Sequence, residues 1–338
     1  MRVRPSRRRF LSLMPGATTA LGASSLSRAL AMAPVRIATS VTPPSIHNIS
    51  LHVAYERGFF RANGIDVTEF LQLRGGPLAT QAIAAGQVDA APADAEGLLA
   101  AVQSGHALRA VAAPGAQLSY MVAVRKEIRT AADLSGKPFA ISRPGAISQY
   151  LMYPLLDRER VPRDSLQWLG VGGALERMLA LKAGRVQGAL LMIDFAMEAI
   201  RDPDIRILKP VADLLPNYPV KLLVLRKDML DRNPDASFAI TRAIIQACRY
   251  IVEHKKETID VVLKYAPGMD TVVLERAYDE LIRIRGFGVN GGMSRANMTA
   301  AHDLALQNLQ IQRPVALDHW ADFRFQDRAV AQLGRYPG

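Results

Sequence analysis

From Val35 onward, short apolar runs alternate with longer stretches whose apolar positions recur every three or four residues, the periods of strand and helix. Residues 35–40 predict a strand and 48–62 an amphipathic helix closed by Gly64. Residues 65–71 predict a second strand, 77–85 a helix with Pro77 in its first turn and Gly86 at its end, and 88–91 a third strand. This βαβαβ rhythm implies a mostly parallel sheet covered by helices. From Asn233 the pattern turns helical, with Asn233-Pro234 as cap and first helical residue. Helices are predicted over 235–253, 256–265, 271–284 and 295–310, with a last short one that includes Trp320.

The rhythm is written twice. Gly75-Gly76-Pro77-Leu78 leads through a helix to Ala85-Gly86-Gln87-Val88, and Gly172-Gly173-Ala174-Leu175 leads likewise to Ala183-Gly184-Arg185-Val186. Upstream, Ile37-Ala38-Thr39-Ser40 meets Pro43 and Pro44, and Phe139-Ala140-Ile141-Ser142 meets Pro144. Strands at 120–124 and 221–225, each followed by an Arg-Lys pair, are expected to cross between two halves. The expected division is residues 34–120 with 226–338 in one lobe and 121–225 in the other.

Charge looks at first like a nucleic-acid signal, at +11 over 338 residues. Six arginines and no acid fall in residues 1–33; removing those six from 42 leaves 36 basic residues against 31 acidic, a net of +5. No long basic run interleaved with aromatics follows, so no nucleic-acid partner is expected, and a mildly basic mature surface would suit an anionic ligand. The arginines belong to an address. Ser6-Arg7-Arg8-Arg9-Phe10-Leu11 resembles the twin-arginine export motif, and a weakly apolar stretch leads to the small-x-small site Ala31-Met32-Ala33. Residues 1–33 are thus expected to be a signal peptide and the mature chain to work in the periplasm. The single cysteine, Cys248, lies in a predicted helix and excludes an internal disulfide or a cysteine-based zinc site; a buried thiol is expected.

Five further pieces resemble the periplasmic substrate-binding proteins of nitrate, sulfonate and taurine ABC importers. They are Gly58-Phe59-Phe60 at the end of the first helix, Gly64-Ile65-Asp66-Val67, Gly75-Gly76, Ala84-Ala85-Gly86-Gln87-Val88-Asp89-Ala90 and Ala132-Asp133-Leu134-Ser135-Gly136-Lys137. The second half departs with Val186-Gln187-Gly188 where the family often has Val-Asp-Ala, a strand-end position. The resemblance implies an α/β two-lobed type II binding-protein fold, each lobe a mixed sheet flanked by helices. It also implies a monomer without cofactor that takes a small organic anion or zwitterion and has an inner-membrane ABC permease as partner. Binding of a thiamine-pyrimidine precursor, a periplasmic sensory adaptor and a pyrimidine-synthase-like enzyme remain the alternatives, and the cysteine-rich segment of that enzyme has no counterpart here.

Ligands of open α/β sheets bind beyond the carboxyl ends of the strands. Four edges follow. Ser40, Thr42 and Pro44 lie in a stiff loop after the first strand. Gly76 and Pro77 open a helix. Ser142, Arg143, Gly145 and Ala146 combine a helix start, a close-approach glycine and a forked cation, and are expected to hold an anionic head. Asp94 and Asp194 follow strands at corresponding places, as helix caps or as acceptors for a ligand amine, with Met192 as apolar wall. Catalysis is not expected: His47, His52, His106, His254, His302 and His319 are scattered, and no nucleophile elbow or phosphate loop occurs. His47 lies near this region and could hydrogen-bond a ligand, though such a histidine is more often a solvated loop residue.

Overall fold

The structure is a computed structural model and describes residues 32–73, 75–216 and 218–337. The expected export signal, but for Met32 and Ala33, lies outside the described residues.

The chain begins with β1 (Ala33–Thr39), α1 (Ser50–Glu56), α2 (Phe59–Ala62), β2 (Ile65–Gln72), α3 (Gly76–Ala84), β3 (Ala90–Ala93), α4 (Ala95–Gln103) and β4 (Leu108–Gly115). The single helix predicted over 48–62 is broken at Gly58, whose φ of +71° lies in the left-handed region and ends the turn between α1 and α2. There follow β5 (Tyr120–Arg125), β6 (Pro138–Ile141), α5 (Ile147–Tyr150), α6 (Tyr153–Arg158), β7 (Gln167–Gly170), α7 (Ala174–Lys182), β8 (Gly188–Met192), α8 (Ile193–Ala199) and β9 (Ile205–Pro210). The chain closes with β10 (Lys221–Arg226), α9 (Lys227–Arg232), α10 (Pro234–Glu253), α11 (Lys255–Tyr265), α12 (Thr271–Arg283), α13 (Arg295–Gln307) and α14 (Arg324–Leu333). Asn233 stands at the start of α10 but its side chain makes no cap bond, and Trp320 is buried before α14 rather than inside a helix.

Two five-stranded mixed sheets result, in the orders β2-β1-β3-β10-β4 and β7-β6-β8-β5-β9. The orders are the same plan, with β1, β2 and β3 matched by β6, β7 and β8 in parallel pairing. Even the strand-end departure keeps its bond: Asp89 N donates to Arg36 O and Gln187 N to Pro138 O, both at 2.8 Å. The antiparallel member of each sheet comes from the other end of its lobe's chain: β10 pairs β3 and β4, and β5 pairs β8 and β9.

This corrects the predicted crossings. β10 is an inner strand of the first sheet, so residues 221–225 do not belong with the second, and the chain passes between sheets just after β4 and just before β10. The cause is visible in burial. Leu223 and Leu225 pack into one hydrophobic cluster and Leu222 and Val224 into the other, so β10 is covered on both faces; Met121 with Ala123 and Val122 with Val124 do the same for β5. The two passages touch where Val220 N donates to Gly115 O at 2.9 Å. The lobes also meet at both rims. α12 packs on α8, Arg201 bridges Glu198 and Asp270, and Gln310 Nε2 reaches Gly145 O at 3.4 Å.

α10 buries Ala243, Ile244, Ala247, Cys248 and Ile251 at helical spacing. Burial pushes the Cys248 thiol up to about 12, as expected for a structural cysteine.

Candidate functional site

The carboxyl ends of β1, β3, β6 and β8 converge on a cleft of about 490 Å³ lined by both lobes. Of the predicted residues, Ser40, Gly76, Pro77, Asp94, Ser142, Arg143, Gly145, Ala146 and Met192 line it. Three do not. The Thr42 hydroxyl turns away to Leu73 O, Pro44 is buried, and Asp194 is buried behind the wall, 1 % exposed. The carboxyl of Asp194 accepts from Phe195 N at 3.2 Å, and burial pushes it up to about 6 against the pull of the Ser45 hydroxyl from the other lobe.

Asp94 precedes α4 but does not cap it. Its Oδ1 accepts from Lys221 Nζ at 2.5 Å, while Oδ2 lies so close over Gly76 that a Cβ there would meet it at 2.6 Å. Gly76 is therefore needed for the approach of a carboxylate of the protein itself. Lys221 is 9 % exposed. Burial pulls its ammonium down, and Asp94, Tyr120 and Glu96 more than restore it. Glu96, one turn into α4, is buried and accepts from Tyr218. Burial, then Asp94, push its carboxyl up against Tyr218 and Tyr150.

The floor beside this pair is polar and unpartnered. Ser40 Oγ, both ring nitrogens of His47 and both side-chain polar atoms of Asn48 have no partner among the described residues, and Ser40 and His47 are 2 % and 4 % exposed. A buried polar atom left unbonded costs about 1–3 kcal/mol, so such a concentration marks a surface shaped for something outside the chain. His47 is thus a wall residue and not a solvated loop residue. Burial, then Lys221, hold its imidazole down to about 3, so it presents one donor and one acceptor at neutral pH.

The loop over residues 142–148 is different. Ser142 N donates to Ser148 Oγ and Gly145 N to Gln149 Oε1, at 2.8 and 2.7 Å, and α5 is a single turn. The backbone donors predicted for an anionic head are in these two cases already used. Arg143 is exposed at the rim, where a charge pair is worth about 0–1 kcal/mol. Tyr120, Ile147, Tyr150 and Met192 complete an apolar side. Asn48, Glu96, Tyr120, Tyr150 and Lys221 were not singled out as site residues from the sequence. The apolar run of β10 ending at a buried lysine is the one signal that would have exposed Lys221.

The chain matches the family described as NMT1/THI5 like over residues 46–258, more than half its length, and belongs to that family. No curated protein matches it in sequence. Among solved structures it is similar to the periplasmic aliphatic sulphonate binding protein SsuA from Escherichia coli, with a TM-score of 0.70 and 16% identity, over 85% of this chain and 91% of that one. It is also similar to the periplasmic nitrate-binding protein NrtA from Synechocystis PCC 6803, with a TM-score of 0.67 and 14% identity over 90% and 89%. The ligand binding component of an ABC-type import system from Staphylococcus aureus gives 0.71 and 16% over 88% and 99%. At these identities the likeness establishes the two-lobed binding-protein fold; the ligand has to be read from the site.

Proposed function

We propose that the chain is the extracytoplasmic solute-binding component of an ABC importer, which closes two lobes on a small organic molecule and hands it to an inner-membrane permease. The observation that carries this reading is the cleft itself: it is lined by both lobes at their strand ends, and its floor bears buried polar atoms with no partner among the described residues. The fold and family support it, since the similar structures are named as binding components. In this reading the ligand's polar end meets Ser40, His47, Asn48 and Lys221, and its body meets Tyr120, Tyr150 and Met192.

Thermal-shift screening of the purified chain against small organic molecules tests capture, because a ligand at 100 times its Kd stabilises by about 2.7 kcal/mol. Saturation should give a more compact scattering profile and return the ligand unchanged. An unaltered profile contradicts closure, and conversion of the ligand contradicts a pure binding role. Export by the twin-arginine route is a separate proposal resting on Arg7 and Arg8. Replacing both by lysine should abolish the periplasmic fraction.

A further inference from the structure

The elements of the cleft that ordinarily receive an anion are occupied by acceptors of the chain itself. The start of α3 faces the Asp94 carboxylate over Gly76. The first turn of α4 carries Glu96. The two loop amides at Ser142 and Gly145 donate to Ser148 and Gln149. Among the described residues, the one buried cation of the lining, Lys221, is bound by Asp94 at 2.5 Å. Arg143 stands in solvent at the rim, where water screens it.

Among the described residues, an oxyanion entering this cleft would face two carboxyl groups and no uncompensated buried donor charge, the reverse of what an anion site requires. The cleft volume of about 490 Å³ also far exceeds a three- or four-oxygen inorganic anion, and its apolar side needs a body to cover. The floor meanwhile offers both signs of hydrogen bond. His47 has one donor and one acceptor, Asn48 has both, and Ser40 has a hydroxyl free to turn either way.

We propose that the captured molecule carries no net negative charge and presents an amine or amide donor toward Asp94 and Glu96, its acceptor end lying on Ser40, His47 and Lys221. This rests on the capture reading above and narrows it from an anion or zwitterion to a zwitterionic or uncharged, nitrogen-bearing compound. Asp94 is then the residue that sets specificity: it cancels Lys221 and so excludes simple anions.

The test uses matched probes that differ by one ammonium group. These are ethanesulfonate against 2-aminoethanesulfonate and 3-phenylpropanoate against phenylalanine, with nitrate as the small anion. Each is titrated by calorimetry and thermal shift on the wild type and on Asp94→Asn. The wild type should bind the aminated member of a pair at least tenfold more tightly and ignore nitrate. Asp94→Asn should gain at least tenfold for nitrate or ethanesulfonate, because its buried ammonium has lost its partner. Wild-type preference for the non-aminated members or for nitrate overturns the proposal, and so does silence of both proteins toward every anion. A silent wild type with an anion-binding Asp94→Asn supports the exclusion. If Asp94→Asn is not folded by circular dichroism, the wild type alone decides: preference for the aminated members supports the proposal, and any other result overturns it. A wild type that prefers anions still captures a solute, so the capture reading survives it and fails only on the closure test.

Discussion

The two walls of the cleft are built on one strand plan and carry opposite chemistry. By strand register and helix start, Asp94 before α4 corresponds to Met192 before α8, and Glu96 to Asp194, each the second residue of its helix. In the first lobe Asp94 holds a buried lysine at the cleft surface, beside a serine, a histidine and an asparagine whose side chains find no partner among the described residues. In the second lobe Met192 stands at the matching place, Asp194 is buried out of reach, the Ser142 and Gly145 amides are satisfied locally, and Arg143 is in water. A shared topology thus fixes where a site lies, while the satisfaction of individual polar groups decides which wall binds.

The largest expected contrast is between two substitutions to alanine. Asp94→Ala leaves the Lys221 ammonium buried and unpaired and should cost about 3–5 kcal/mol of stability in denaturant unfolding. Arg143→Ala on the opposite wall should change stability by less than about 0.5 kcal/mol. Equal effects would erase the distinction.

The glycines sharpen it next. At Gly76 a Cβ meets a carboxylate oxygen at 2.6 Å, so Gly76→Ala must displace Asp94 and should cost about 1–3 kcal/mol and weaken ligand binding. At Gly145, with φ +73° and open space around it, alanine should cost about 1–2 kcal/mol for its backbone alone and leave affinity unchanged.

Acid should separate the walls through opposite signs. His47 falls from 6.5 to about 3 on folding, so the unfolded chain binds the extra proton between these values. Its contribution is complete above pH 6.5 and is lost as pH falls toward 3, by up to about 1.4 kcal/mol per pH unit. Asp194 rises from 3.8 to about 6, so its contribution is present below 3.8 and lost as pH rises through 6. In unfolding titrations, His47→Asn should flatten the loss of stability on acidification, and Asp194→Asn should steepen it. A small effect is also expected where α8 meets α12. Arg201 is half exposed, and Arg201→Ala should remove less than about 1 kcal/mol while easing separation of α8 from α12.

The doubled plan was legible because glycine turns and apolar runs are local: Gly75-Gly76 and Gly172-Gly173 each open a helix after a strand. The cleft was legible through topology alone, since strand ends in open sheets point to one place. What was not legible is pairing across long separations. Lys221 and Asp94 lie 127 positions apart, and nothing in either neighbourhood announces the bond. His47 read as solvated because its neighbours Pro92, Pro114 and Lys221 are distant in sequence, and residues 142–148 read as an anion site because the acceptors Ser148 and Gln149 lie in the helical turn that follows the loop. β10 read as a crossing because its apolar run does not say which sheet covers it.

The most direct measurement is a crystal structure with a ligand found by screening. Assignment of the polar end to the first lobe predicts that its heteroatoms lie within about 3.2 Å of Lys221 Nζ and of at least one of Ser40 Oγ, the His47 ring or the Asn48 amide. A polar end seated on residues 142–148 and Arg143, with only carbon against Ser40 and His47, would contradict it.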